Sequence, residues 1–184
     1  MNFIRLVNYI FSIVVNPQKY WNFNNKKVNF EKKSFLILML FTIVFLSLIY
    51  LIQSFITLEY VTSSKKILNI FFNTLKDIIY FMLLFFTTKF LLNYFKIQRV
   101  SNKNIFILLY CTLIPGIISI IILKLFIGAF FLAIIFFYGY FVLFWGLKNF
   151  FEIDKNFSKI FSLLIISSVG YYAILYTLIR VLMG

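Results

Sequence analysis

The 184-residue chain contains no histidine, which removes imidazole metal ligands and histidine general bases from its chemistry. Only five carboxylates occur, Glu31, Glu59, Asp77, Glu152 and Asp154, and each falls in an expected loop or at the end of an apolar run. No acid is therefore expected deep within an apolar segment, where ion-coupled carriers and proton pumps usually keep one. A single cysteine, Cys111, cannot close an internal disulfide, and its apolar surroundings mark it as inert packing. HExxH, a glycine-rich phosphate loop and GxSxG are all absent. The hydroxyl pairs Thr87-Thr88 and Ser167-Ser168 have no base nearby in sequence and read as helix-to-helix hydrogen-bonding groups. An enzyme is not expected, and no cofactor or metal is implied.

What the chain does have is apolar surface. Hydrophobic residues make up 63% of it and charged residues 12%, against roughly 45 to 50% and 25% in soluble domains. This is the composition of an integral membrane protein in one domain, 1–184. The net charge of +13 lies mostly beside apolar runs, so it points to retained cytoplasmic loops and anionic lipid headgroups rather than to nucleic acid.

Residues 2–16 place Phe3, Leu6, Val7, Ile10, Ile13 and Val14 on one side at helical spacing, with Asn2, Arg5, Asn8, Tyr9, Ser12 and Asn16 on a narrower polar arc. The pattern predicts an amphipathic helix ended by Pro17, too short to span and lying in the interface with its apolar side down. Arg5 alone is a poor n-region and no small-residue cleavage site follows, which argues against a secretory signal. Residues 17–33 read as a basic cytoplasmic segment in which Tyr20 and Trp21 suit the headgroup layer.

Five apolar stretches follow, 34–57, 78–95, 105–123, 127–147 and 160–182, each long enough to cross the hydrocarbon as a helix. Residues 59–77 are expected to rest, partly helical, on the opposite membrane surface. Lys89 lies inside the second stretch, where a central lysine costs about 2.5 to 3.5 kcal/mol. The eleven Leu, Ile and Phe of 78–95 return about 0.3 to 0.6 kcal/mol each, so insertion wins. The expected fold is all-α: a polytopic transmembrane bundle of five spans with an N-terminal interfacial amphipathic helix.

An odd number of spans separates the termini. Arg5, Lys19, Lys26, Lys27, Lys32 and Lys33, the 96–103 loop and the 148–159 loop put twelve Lys and Arg on one side, against Lys65, Lys66, Lys76, Lys124 and Arg180 on the other. The N-terminus is therefore expected in the cytoplasm and the C-terminus outside.

Two groups of residues stand out as candidate lipid or partner contacts. Tyr172, Tyr176 and Arg180 are four apart on one face of the last stretch, so a cation–π or headgroup contact is open to Arg180, with interfacial anchoring as the plain alternative. Lys89 and Pro115-Gly116 would mark an anionic headgroup site if the fold brought them together, and are otherwise a snorkelling lysine and a packing kink. Ala129 and Ala133, with Gly139 and Gly146, would let helices approach closely, in internal packing rather than dimerisation.

Asn16-Pro17 closing a short helix before Trp21, Tyr110 ahead of Pro115, Trp145-Gly146-Leu147-Lys148 leading to Phe151-Glu152-Ile153, and Phe157-Ser158-Lys159-Ile160 together resemble the Yip1-domain family of five-span membrane proteins, in its short bacterial form. The resemblance implies a cytoplasmic N-terminus, five helices and residence in a bacterial cytoplasmic membrane. For eukaryotic members it implies a trafficking scaffold that contacts small GTPases, but their Asp-Leu-Tyr-Gly-Pro signature is absent here. The function expected is a non-enzymatic scaffold or organiser binding lipids or membrane-protein partners. The alternative is a substrate-binding or permease subunit of a small-molecule transporter, for which Gln53, Ser54, Thr112 and Ser119 offer a sparse polar lining.

Overall fold

A computed structural model describes residues 3–21, 32–57, 63–97, 101–125 and 129–183. Among the described residues there are seven α-helices and no strand: α1 (Phe3–Val15), α2 (Pro17–Trp21), α3 (Lys32–Thr57), α4 (Ser63–Tyr94), α5 (Asn102–Leu125), α6 (Ala129–Trp145) and α7 (Phe157–Met183). A π-helical turn, Gly146–Phe150, continues α6.

Local sequence sets several of these boundaries. Asn16 leaves the helix before Pro17, and its side-chain Oδ1 accepts from the Lys19 N–H at 3.1 Å, so one residue ends α1 and caps α2. Pro17 then sits at the first helical position, where its missing N–H costs nothing. The last turn of α4 closes on Lys96 at φ 53°, with the Ile97 N–H bonded to the Leu92 carbonyl at 2.9 Å. Ser101 caps α5 through the Asn104 N–H. Between α6 and α7, Glu152 and Asn156 take left-handed backbone while Phe151 and Ile153 turn inward and are buried.

The helices pair α3 with α4, α4 with α7 and α5 with α6, and α4 also touches α5. The first part of α5 is enclosed on all sides: Ile105 to Leu109 and Cys111 are buried. A helix covered all round shows no apolar stripe, which explains why its sequence is uniformly apolar. Gly139 lets α6 approach α5 at Thr112, since a Cβ there would stand 2.5 Å from the Thr112 carbonyl oxygen. Gly146 likewise makes room for Leu108 and Trp21. Ala129 and Ala133 fall in the opening turns of α6, and their side chains lie outside the described residues.

Three expectations change. The 59–77 segment and the 78–95 stretch are not separate beyond Ser63: α4 runs unbroken from Ser63 to Tyr94, through Lys76-Asp77. Trp21 is 1% exposed, packed against Gly146 beneath α6 rather than set in a headgroup layer. Helix α1 forms, but its Leu6, Ile10 and Ile13 are buried in the protein, where it packs on α3 and α5, and Tyr138 donates to the Val14 carbonyl at 2.8 Å. Ile4, Val7, Phe11 and Val15 are the apolar side chains that α1 leaves exposed. The third and fourth stretches shift slightly, to 102–125 and to 129–145 with its π turn. Lys26, Lys27, Glu31, Glu59 and the 126–128 connection lie outside the described residues.

Among the described residues, two helices are long and apolar enough to cross a membrane, over Ile67–Tyr94 and Phe157–Leu182, and only 17% of each most apolar window is buried inside the protein. A core helix of a soluble protein would be mostly covered. Here the polar side chains are inside instead: Thr74, Lys76, Thr88 and Ser168 are buried, whereas Phe90 is 66% exposed and Ile166 67%.

Candidate functional site

Asp77 lies fourteen residues from the start of α4 and seventeen from its end, so about 20 Å of helix extends on either side. It was expected at the end of a span, and the continuity of α4 is what places it at the centre. One carboxylate oxygen accepts from the Tyr50 hydroxyl of α3 at 2.5 Å. The other stands 3.6 Å from Lys76 Nζ. Lys76 is 6% exposed, and its ammonium lies 5.3 Å from the centroid of the Tyr172 ring on α7. Leaving a charge so covered without a partner would cost several kcal/mol, and the pairing with a ring and a carboxylate offsets that cost.

Hydroxyl groups extend the cluster. Tyr80, one turn beyond Asp77, meets Ser168 Oγ at 3.0 Å, and Tyr140 of α6 meets the same Ser168 at 2.8 Å. Ser47 faces Thr74 at 3.4 Å, and Thr42 of α3 pairs with Tyr110 of α5 at 2.7 Å. Further along α4, Thr87 bonds Tyr171 at 2.8 Å, while Thr88 bonds back to the Leu84 carbonyl. Five helices, α3 to α7, are thus tied together along the bundle by side chains that water would otherwise satisfy.

Beside this cluster is a cavity of about 150 Å³, with Asp77, Tyr80, Tyr110 and Tyr172 in a wall otherwise made mainly of Met39, Leu46, Phe81, Phe106 and Leu113. A smaller cavity of about 40 Å³ adjoins it through Tyr80, Leu113 and Gly116 and reaches Ser168 and Tyr140. A third, of about 460 Å³, shares Met39, Phe81, Met82 and Phe106 with the first and extends to Leu36, Asn102 and Lys103. This chemistry suits an apolar ligand that meets a few polar groups at its inner end. No three His, Cys, Asp or Glu among the described residues gather to hold a metal ion.

The residues singled out from sequence are distributed differently. Gly116 lines both central cavities, and Pro115 beside it is buried inside α5. Lys89 lies nine residues beyond Tyr80 on α4, about 13 Å further along the axis, and lines none of the three cavities. Tyr172 and Tyr176 stack at 6.4 Å, but the cation over Tyr172 is Lys76, and Arg180 is exposed one turn beyond Tyr176. Of the sparse transporter candidates, Thr112 lines the smaller cavity, and the side chains of Gln53, Ser54 and Ser119 lie outside the described residues.

Tyr50, Lys76, Asp77 and Tyr80 were not expected here, whereas Ser168 bonds across helices as its sequence context implied. The available signal was spacing: Asn73, Asp77 and Tyr80 recur at three and four residues on α4, and Ser168 and Tyr172 four apart on α7. Comparison with known protein families, with curated proteins and with solved structures finds no match for the chain.

Proposed function

We propose that the chain is a five-span integral membrane protein of a bacterial cytoplasmic membrane, similar to the short Yip1-domain proteins, that acts without catalysis as a scaffold binding lipids and membrane-protein partners. Helices α3, α4, α5, α6 and α7 are its spans, the N-terminus is cytoplasmic and the C-terminus outside. The observation that carries this reading is the middle of α4 and α7, where Thr74, Lys76, Thr88 and Ser168 are buried while Phe86, Phe90, Ile166 and Val169 face out, with Lys65, Lys159 and Arg180 exposed towards the helix ends. Hydrocarbon is the surrounding that such a surface fits best. The excess of Lys and Arg on the α1, 96–103 and 148–159 side supports the orientation. Helix α1, packed across α3 and α5 with Ile4, Val7, Phe11 and Val15 outward, would lie half-sunk in the cytoplasmic leaflet. Reporter fusions at Gly184 test it: activity of an extracytoplasmic reporter is expected, and cytoplasmic activity would remove the five-span count. In-cell crosslinking is expected to capture membrane proteins and lipids.

One observation favours the second reading, a substrate-binding subunit of a transporter. Asp77 lines a cavity near the middle of the bundle, so the argument from a missing deep acid no longer counts against transport. Solute uptake lost on deletion, restored by the wild-type chain and not by Asp77→Asn, would establish it.

A further inference from the structure

Helix α3 packs along α4 and is held to α5 at one level by the Thr42–Tyr110 hydroxyl pair. The two larger cavities lie in the gap this leaves, and because they share Met39, Phe81, Met82 and Phe106 they form one slot. Its outer end is at Leu36, Asn102 and Lys103, the Thr42–Tyr110 pair lies part-way along it, and its inner end is at Leu46, Asp77 and Gly116. From Leu36 to Leu46 of α3 the slot is ten residues deep, and from Lys103 to Gly116 of α5 thirteen. At 1.5 Å per residue that is about 15 to 20 Å, close to half of the roughly 30 Å hydrocarbon layer.

We infer that this slot takes one acyl chain of an anionic phospholipid from the cytoplasmic leaflet, its phosphate beside Lys103 and its chain end past the Thr42–Tyr110 pair, at Leu46 and Gly116. The inference deepens the five-span reading and rests on it. Three features select the occupant. A depth of one leaflet matches one chain and not a spanning helix. The walls are almost wholly apolar, Thr42 and Tyr110 bond to each other, and Asp77 at the inner end is held by Tyr50 and Lys76, so few polar groups meet the ligand. At the mouth Lys103, in the first turn of α5, supplies the charge that an anionic headgroup seeks. Two methionines, Met39 and Met82, line both cavities and can adapt to a flexible chain.

The test uses the full chain in vesicles of phosphatidylglycerol and phosphatidylcholine, with a trace of either lipid carrying a diazirine at the acyl terminus. After irradiation, peptide mass spectrometry maps the adducts. Adducts on Leu46, Tyr110 or Leu113 are expected, more from the phosphatidylglycerol probe than from the phosphatidylcholine probe. Met39→Trp, which fills the slot, should remove them while leaving adducts on the outward Phe90. Lys103→Gln should cut the phosphatidylglycerol preference about fivefold while leaving the phosphatidylcholine adducts in place. Adducts confined to outward residues such as Leu40, Phe41 and Phe90 would overturn the slot while leaving the spans intact. Equal yields from both probes, or linkage of the slot to a second copy of the chain, would overturn the occupant. A chain recovered in buffer and not in vesicles would sink the five-span reading as well.

Discussion

Asp77 and Lys76 show how neighbouring residues can be read correctly as charged and misread in place. Beside Lys65, Lys66, Asn69 and Asn73 they resemble the end of a surface segment. The three-dimensional partners that neutralise them, Tyr50 and Tyr172, come from helices 27 and nearly 100 positions away, and no local pattern reveals such pairs. Their energetics can be separated by mutation. Asp77→Ala leaves a covered ammonium and should destabilise the protein by about 3 to 5 kcal/mol, whereas the double change Lys76→Met with Asp77→Leu should recover most of that loss. Denaturation midpoints of the purified protein in detergent decide the matter, and equal losses in the single and double variants would show that the pair is not what the cluster depends on. Glycines divide in the same way. Gly139→Ala drives a Cβ into the Thr112 backbone and should cost about 1 to 3 kcal/mol. Gly170, with open space around it, should accept alanine with a gain of up to about 1 kcal/mol in the same measurement.

At the level of elements, helix existence was legible and helix environment was not. Helix α1 forms where periodicity put it, but Val7 of its expected apolar arc is exposed, and an arc of Leu6, Ile10 and Ile13 looks the same whether lipid or protein will cover it. Protein does: Ile10→Ala should cost about 2 to 5 kcal/mol by leaving a cavity against the bundle, while Phe11→Ala, on the exposed side, should stay within about 0.5 kcal/mol. Equal effects of the two changes, read by the same unfolding assay, would place α1 away from the bundle. Asn16-Pro17 was fully legible because its chemistry is local, a cap and a first-turn proline within three residues. The unbroken course of α4 was illegible because hydropathy averages over Lys76 and Asp77 as if water had to meet them.

The apolar outer faces of α4 and α7 depart from the pattern of a water-soluble bundle, and a charge scan tests what covers them. Val169 and Val181 are both exposed valines on α7, twelve residues apart and thus about 18 Å apart along the axis. In water the two sites are equivalent, and lysine at either would be tolerated. In a bilayer crossed by residues 160–182, Val169 faces the hydrocarbon near mid-depth, where lysine costs about 2.5 to 3.5 kcal/mol, and Val181 lies close enough to the interface for the side chain to snorkel. Val169→Lys is therefore expected to lower the membrane-integrated fraction strongly in a carbonate-extraction assay, and Val181→Lys to leave it near the wild-type level. Equal tolerance at both sites would mean that water, and not lipid, covers the exposed face of α7, and the slot between α3 and α5 would then have no leaflet to draw its acyl chain from.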